Sequence, residues 1–131
     1  MLTCREPLPV RLQDIITHTG AYVSTQAKSA HDVLYSVRAI VEEPACARLS
    51  DILEHEYFIM YRCLAFSDYG EGEVIELQIE IYRVHDNPRE APLYVMRVAL
   101  LDSTHSRNAQ ERTKGFDNVV YRLKSCLRNW Y

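Results

Sequence analysis

The side chains that could do acid–base, nucleophilic or metal chemistry are scattered along the sequence. Zinc sites and thiol redox centres typically use Cys-x-x-Cys pairs, and the chain contains none. His55 lies between Glu54 and Glu56, but adjacent residues of a strand point to opposite faces, so these three do not converge on a metal ion. A cysteine and a histidine that meet only in space stay an open alternative. We therefore predict a non-catalytic chain with no cofactor.

Glycine-rich phosphate-binding motifs are also missing. The chain has 4 glycines, and they form neither the dinucleotide-binding pattern nor the nucleotide-triphosphate pattern. Because each motif needs several glycines at fixed spacing, the sequence predicts no nucleotide site.

Residues 74–84 carry the most regular pattern in the chain, an alternation of apolar and polar side chains. The apolar row is Ile75, Leu77, Ile79 and Ile81. The polar row is Glu76, Gln78, Glu80 and Tyr82. A period of two is the period of a β-strand, so one row faces a core and the other faces outward. The outward row is either a docking surface or an ordinary solvated face.

Basic side chains concentrate towards the C-terminus. Residues 105–131 hold six basic and two acidic side chains, although the chain as a whole has a net charge of −3. The six are Arg107, Arg112, Lys114, Arg122, Lys124 and Arg128. The cluster is either scatter on a solvated surface or a patch for an anionic partner.

A helix over residues 116–130 would position three of these cations. Its predicted apolar stripe is Phe116, Val119, Val120, Leu123, Cys126, Leu127 and Trp130. Arg122, Lys124 and Arg128 fall on the opposite, polar side. Cations near the C-terminal end of a helix also suit its negative pole.

The other elements follow from the same patterns. Strands are predicted at 21–26, 57–66, 74–84 and 93–101, and a first helix runs from a cap at Ser29 to the residue before Pro44. Residues 45–55 read as a turn or short helix, 68–72 as a hairpin turn and 102–115 as a polar loop. Residues 1–18 form a partly ordered lead-in with one helical turn.

The predicted order is therefore β-α-β-β-β-α over residues 19–131, preceded by the lead-in at 1–18. Such a chain forms a two-layer α+β domain. The sheet has three to four antiparallel strands, and two helices cover one of its faces.

Composition narrows the class of protein. A chain of 131 residues is one ordinary domain. The negative net charge argues against a nucleic-acid binder. The N-terminus lacks the apolar core of a signal peptide, and the separated cysteines read as reduced thiols. We therefore expect a cytoplasmic or nuclear protein.

Several stretches together carry a family resemblance. The segment 31–40 begins His31-Asp32-Val33-Leu34 and contains Arg38-Ala39; it follows a strand at 22–26 and a cap at Ser29. This order is similar to the first strand and helix of the C-terminal domain of AMP-activated protein kinase catalytic (alpha) subunits, which commonly read Asn-Asp-Ile-Met and then Arg-Ala.

Residues 79–84 and the following Asp86 resemble the Leu-Gln-Leu-Tyr-Gln-Val-Asp strand of the same family. The strand at 93–101, a polar loop and the terminal helix follow in the order of the family. Kinase-associated C-terminal domains of microtubule-affinity-regulating kinases share this layout. One departure is the second strand, which carries only Arg62 where the AMP-activated group has a basic run.

The resemblance implies a non-catalytic regulatory domain of a serine/threonine kinase. In the AMP-activated relatives the domain is a scaffold for the beta subunit, through which gamma is held. The outer sheet face would then bind regulatory subunits or a kinase domain. The protein-binding residues would be Glu76, Gln78, Glu80 and Tyr82.

The resemblance also implies an alternative. In the microtubule-affinity-regulating relatives the domain binds anionic phospholipid and restrains the kinase domain. The lipid-binding residues here would be Arg112, Lys114, Arg122, Lys124 and Arg128. Each cation near a membrane contributes about 1 kcal/mol, but the overall acidity of the chain favours the protein scaffold.

Overall fold

The chain forms a five-stranded antiparallel sheet with two long helices packed on one face. A computed structural model describes residues 6–16, 19–42, 47–68, 71–84, 92–101 and 109–127. The strands are β1 Ala21–Gln26, β2 Ala47–Glu54, β3 Ile59–Asp68, β4 Glu71–Arg83 and β5 Leu93–Leu100. The helices are α1 Leu12–Ile15, α2 Ala30–Glu42 and α3 Ala109–Cys126. The fold is therefore α+β, as predicted.

The strand order across the sheet is β1-β5-β4-β3-β2, with every neighbouring pair antiparallel. β4 is the central strand, and it contains the alternating stretch that the sequence singled out. Ile79 of β4 lies opposite Tyr61 of β3 and Val98 of β5. Side chains directly opposite one another in an antiparallel pair share a face, so the register of β4 fixes the faces of its neighbours.

The apolar row of β4 forms the centre of the main core. Ile75, Leu77, Ile79 and Ile81 are fully buried, as predicted. They pack against Val33, Leu34 and Val37 of α2 and Val119 and Leu123 of α3. We call this side the inner face. Full burial of such a side chain stabilises the fold by about 1.5–3 kcal/mol relative to exposure.

The prediction of three to four strands was wrong, because residues 47–54 form β2. Leu49, Ile52 and Leu53 have a spacing that looks helical, but the pairing with β3 shifts register between Leu49 and Asp51. Such a bulge breaks the period of two that identifies a strand. Pairing with β3 decides the conformation of this segment.

The C-terminal helix begins earlier than predicted. Residues 109–115 were expected to be loop, yet α3 starts at Ala109. This segment is rich in good helix formers such as Ala, Gln, Glu, Arg and Lys, and its polarity hid the helix from a search for apolar periodicity. Cys126 is exposed and does not belong to the buried stripe. Trp130 lies outside the described residues.

The lead-in packs against the sheet. Residues 6–16, which we call the strap, contain the single turn of α1 and a parallel bridge between Val10 and Val84. Ile15 is buried in a second, smaller core with Val84, Leu93 and Val95. This core lies on the side of the sheet opposite α2 and α3, which we call the outer face. The strap therefore covers one end of that face.

Within the described part of the chain, no helix combines the length and apolar character needed to cross a membrane.

Candidate protein-binding surface on the outer sheet face

The outer face of the sheet carries the polar row predicted from the sequence. Glu76, Gln78, Glu80 and Tyr82 alternate with the buried row of β4. Their cross-strand neighbours on β3 and β5 include Arg62, opposite Gln78, and Arg97, opposite Glu80. These side chains share one face because they are directly paired positions.

An ion pair occupies the middle of the outer face. Arg97 donates through Nε to Glu80 Oε1 at 2.8 Å and through Nη2 to Glu80 Oε2 at 3.1 Å. Both side chains are largely removed from water, and Glu80 is 6% exposed. Two parallel N–H···O bonds of this kind combine charge and fixed geometry. The pair joins β4 to β5 on the outer face.

Two further donors complete the coordination of the Glu80 carboxylate. The Tyr82 hydroxyl donates to Oε1 at 2.8 Å, and Gln78 Nε2 donates to Oε2 at 2.6 Å. Arg97 also donates through Nη1 to the Thr19 carbonyl oxygen. The cluster of Glu80, Arg97, Tyr82 and Gln78, which we call the carboxylate cluster, thus satisfies both oxygens of a buried carboxylate.

The carboxylate cluster alters the acidity of its members. Burial alone would raise the pKa of Glu80, but hydrogen bonds from Arg97, Tyr82 and Gln78 outweigh it and lower the pKa below 4.5. Burial, reinforced by donation to Glu80, raises the pKa of the Tyr82 hydroxyl. The hydrogen bond to Glu80 raises the pKa of Arg97. Glu80 therefore stays ionised and Tyr82 stays neutral at pH 7.

The predicted protein-binding residues have different exposures. Glu80 is buried and fully coordinated, so its carboxylate is not presented to solvent. Glu76, Gln78 and Tyr82 are partly exposed. Glu80 therefore holds the side chains around it in place, and Glu76, Gln78 and Tyr82 are the predicted residues that a partner can contact.

The outer face divides into two halves. Its covered half lies under the strap and includes Val84, Leu93 and Val95. Its open half presents the side chains at five paired positions. These are Arg62 and Leu64 of β3, Glu76 and Gln78 of β4, and Ala99 of β5. Arg62 is exposed and the other four are partly exposed, so this half mixes apolar, polar and charged groups.

Sequence reasoning missed Arg97, the partner that makes the buried carboxylate possible. Arg97 lies 17 residues from Glu80, so no local pattern joins them. The sequence did carry one signal, because Arg97 is the one cation inside the apolar strand 93–100. A charged side chain within such a strand needs a partner of opposite charge. Phe58, whose ring contacts Tyr82 and stacks on His55, was also missed.

The predicted lipid-binding cations do not form one described patch. Lys114 and Lys124 are exposed on α3. Arg122 is partly buried and donates through Nη2 to the Ile40 carbonyl oxygen of α2 at 3.3 Å. Arg112 lies in α3 with its side chain outside the described ones, and Arg128 lies outside the described residues. Arg122 thus contacts the C-terminal end of α2, where a cation is favoured.

Metal binding has no candidate site among the described side chains. These residues contain no group of three His, Cys, Asp or Glu side chains that could hold a metal ion. His55 stacks on the ring of Phe58 with centroids 4.4 Å apart. Cys63 is buried in the core. A thiol buried in apolar surroundings is typically unreactive, whereas Cys126, the other described free cysteine, is exposed.

Known proteins give no guide to this surface. The chain significantly matches no protein-family model, no curated protein and no solved structure. The likeness to the kinase-associated domains rests on the sequence motifs quoted above and stays a prediction.

Proposed function

We propose that this chain is a non-catalytic regulatory domain that docks a protein partner on the open half of its outer sheet face. The partner class is a regulatory subunit or a kinase domain of a serine/threonine kinase complex, as the sequence resemblance implies. The domain acts as a scaffold within that complex.

The open half of the outer face is the observation that carries this proposal. The inner face is buried under α2 and α3, whereas Arg62 is exposed and Glu76 and Gln78 are partly exposed. A two-layer α+β fold leaves one sheet face free in this way.

The carboxylate cluster makes this face suitable for burial by a partner. Covering a charge is costly when it becomes unpaired. Glu80 and Arg97 are already paired with each other, so a partner can lie over them without leaving either charge alone. Leu64 and Ala99 add apolar area, and Arg62 and Glu76 add polar contacts. This mixture is typical of non-obligate interfaces.

Affinity capture with matched variants tests the proposal. The tagged full chain is used to capture proteins from its native lysate at high salt, and bound chains are identified by mass. We expect the unchanged chain to capture a kinase-complex subunit. The Glu76→Lys variant should capture at least about tenfold less of it. The control, Lys114→Glu on α3, should capture as much as the unchanged chain.

A different result would favour the lipid alternative. Salt screens exposed charges, so membrane binding through Lys114 and Lys124 would be lost at high salt. Recovery of no kinase-complex subunit, together with salt-sensitive binding to phosphatidylserine vesicles that Lys114→Glu weakens, would overturn the scaffold proposal.

A further inference from the structure

The strap, residues 6–16, covers the half of the outer face that adjoins the open half. We propose that the strap is a detachable cover which opens as a unit and competes in cis with the protein partner for the covered half of this face, next to the open half on which the partner docks. The competition rests on the docking function proposed above. The strap then regulates how much of the outer face a partner can contact.

Apolar contacts hold the underside of the strap to the sheet. Ile15 is 1% exposed and belongs to a cluster with Val84, Leu93 and Val95, against which Val10 also packs. The Tyr22 hydroxyl of β1 donates to the Ile15 carbonyl oxygen at 3.0 Å. The side chains of this cluster are separate from the main core, so the apolar packing of Ile15 can be lost without loss of the packing under α2 and α3.

The Glu6 carboxylate, which we call the latch, holds the beginning of the strap through polar contacts. The Glu6 carboxylate accepts hydrogen bonds from the Ala30 N–H at the start of α2, at 3.0 Å, and from the Tyr94 hydroxyl. It also pairs with Arg83 Nη1 at 3.6 Å. A carboxylate is favoured at a helix N-terminus because the exposed N–H groups and the helix dipole are positive there. One side chain thus fixes the strap to three elements.

The latch leaves Arg83 incompletely satisfied. Its 3.6 Å contact with Glu6 is longer than a hydrogen bond. Arg83 Nε is buried and has no hydrogen-bond partner among the described atoms. The closed strap therefore leaves one buried N–H of the partly exposed Arg83 side chain without a partner among the described atoms.

The strap has little internal structure to hold it in place. α1 has four residues and no side-chain cap, and a helix of one turn is not stable by itself in water. The Val10 N–H donates to the Arg83 carbonyl oxygen of β4 at 2.8 Å, and the Leu8 N–H donates at 2.9 Å to the carbonyl oxygen of Glu56, between β2 and β3. Segments with few such contacts open locally before the global fold does.

The solvent-exposed side chains of the strap are a mixture of apolar and polar groups. Leu8, Leu12 and Ile16 recur every four residues, and they are 47%, 41% and 55% exposed. Apolar side chains that stay exposed while the strap is closed can pack elsewhere once the strap opens.

Amide hydrogen exchange of the full chain, followed by NMR, tests whether the strap opens as a unit. We expect the Leu8 and Val10 amides to exchange at least about tenfold faster than the amides of β4. Glu6→Gln should accelerate Leu8 and Val10 by about another tenfold, because it removes a charge-assisted bond. The β4 amides should not change. Asp117→Asn on α3, which also removes one negative charge, should leave both sets of amides unchanged.

Equal exchange rates for the strap and β4 would overturn the inference, because the strap would then open only with global unfolding. Equal acceleration of both sets by Glu6→Gln would also overturn it. The amount of kinase-complex subunit that the chain captures measures competition, and Glu6→Gln should increase this amount several-fold.

If Glu6→Gln speeds exchange in the strap but leaves the captured amount unchanged, the competition is overturned and the opening of the strap is not. Capture by neither chain overturns the docking function and the competition that rests on it, while exchange still decides the opening.

Discussion

The two faces of the same sheet bury their side chains by different means. On the inner face Ile75, Leu77, Ile79 and Ile81 are removed from water by packing against α2 and α3. On the outer face Glu80 is almost equally buried, but it is held by Arg97, Tyr82 and Gln78. Both rows come from one alternating strand.

This contrast shows that burial on the two faces depends on different partners. Apolar burial tolerates any close-packed neighbour, whereas a buried carboxylate requires particular donors at hydrogen-bond distance. Burial on the inner face therefore depends on apolar packing in general, and burial of Glu80 on the outer face depends on three particular donors. Four substitutions, from the largest expected effect to the smallest, test this difference.

Ile79→Asp should abolish folding, because it places an unpaired carboxylate in the centre of the inner face. The expected loss of more than about 4 kcal/mol is a large part of the stability of a domain of this size. Thermal unfolding followed by circular dichroism measures it. The control, Arg62→Asp on the outer face, should cost no more than about 1 kcal/mol. A normal melt for Ile79→Asp would contradict the assignment of faces.

Arg97→Met should destabilise the domain by about 3–5 kcal/mol, because Glu80 stays buried without its cation. Replacing both residues, Glu80→Met with Arg97→Met, should restore most of this loss, since no charge is left unpaired. Urea unfolding of the two single variants and the double variant gives the coupling energy. Additive losses would show that the carboxylate cluster does not act as a unit.

Acid should weaken the unchanged protein and reduce its difference from Arg97→Met. The pKa of Glu80 is lowered in the fold below 4.5, so its stabilisation is present above pH 4.5 and is lost as pH falls through the lowered value. Without Arg97 the pKa of Glu80 rises, and protonation then relieves the buried charge. Urea midpoints of both proteins at pH 7 and pH 4 measure this. A constant difference would contradict the proposed coordination of Glu80.

Arg122→Glu should cost about 1–2 kcal/mol, because it replaces a donor to the Ile40 carbonyl oxygen with a carboxylate at the negative end of α2. Lys124→Glu, at an exposed position of the same helix, should change stability by less than about 0.5 kcal/mol. Urea unfolding compares the two. Equal effects would place Arg122 on the solvated side, where the sequence pattern alone put it.

The local patterns of the sequence predicted the elements that have strong periodicity. The alternation of β4, the stripe of α2 and the hairpin between β3 and β4 need only neighbouring residues. The predictions that were wrong fell on segments with weak or broken periodicity. β2 contains a bulge between Leu49 and Asp51, and the start of α3 at Ala109 is polar.

The candidate site was predictable only in part. Glu76, Gln78, Glu80 and Tyr82 were placed on one face correctly because a strand fixes the direction of its own side chains. The burial of Glu80 was not predictable from that row, because it depends on Arg97 of another strand. The helical pattern placed Arg122 on the polar side of its helix. Its hydrogen bond to the Ile40 carbonyl oxygen was not predictable, because the two residues are 82 positions apart in sequence.

The sequence by itself determined that the chain is a single α+β unit with a central alternating strand and an amphipathic terminal helix. Only the tertiary structure decided that residues 47–54 are a strand, that Glu80 pairs with Arg97, and that Ile15 of the strap packs on the outer face while Glu6 bonds to Ala30 and Tyr94. The physical reason is range. Periodicity and capping act over a few residues, whereas the Glu80–Arg97 and Glu6–Tyr94 hydrogen bonds join residues that are 17 and 88 positions apart in sequence.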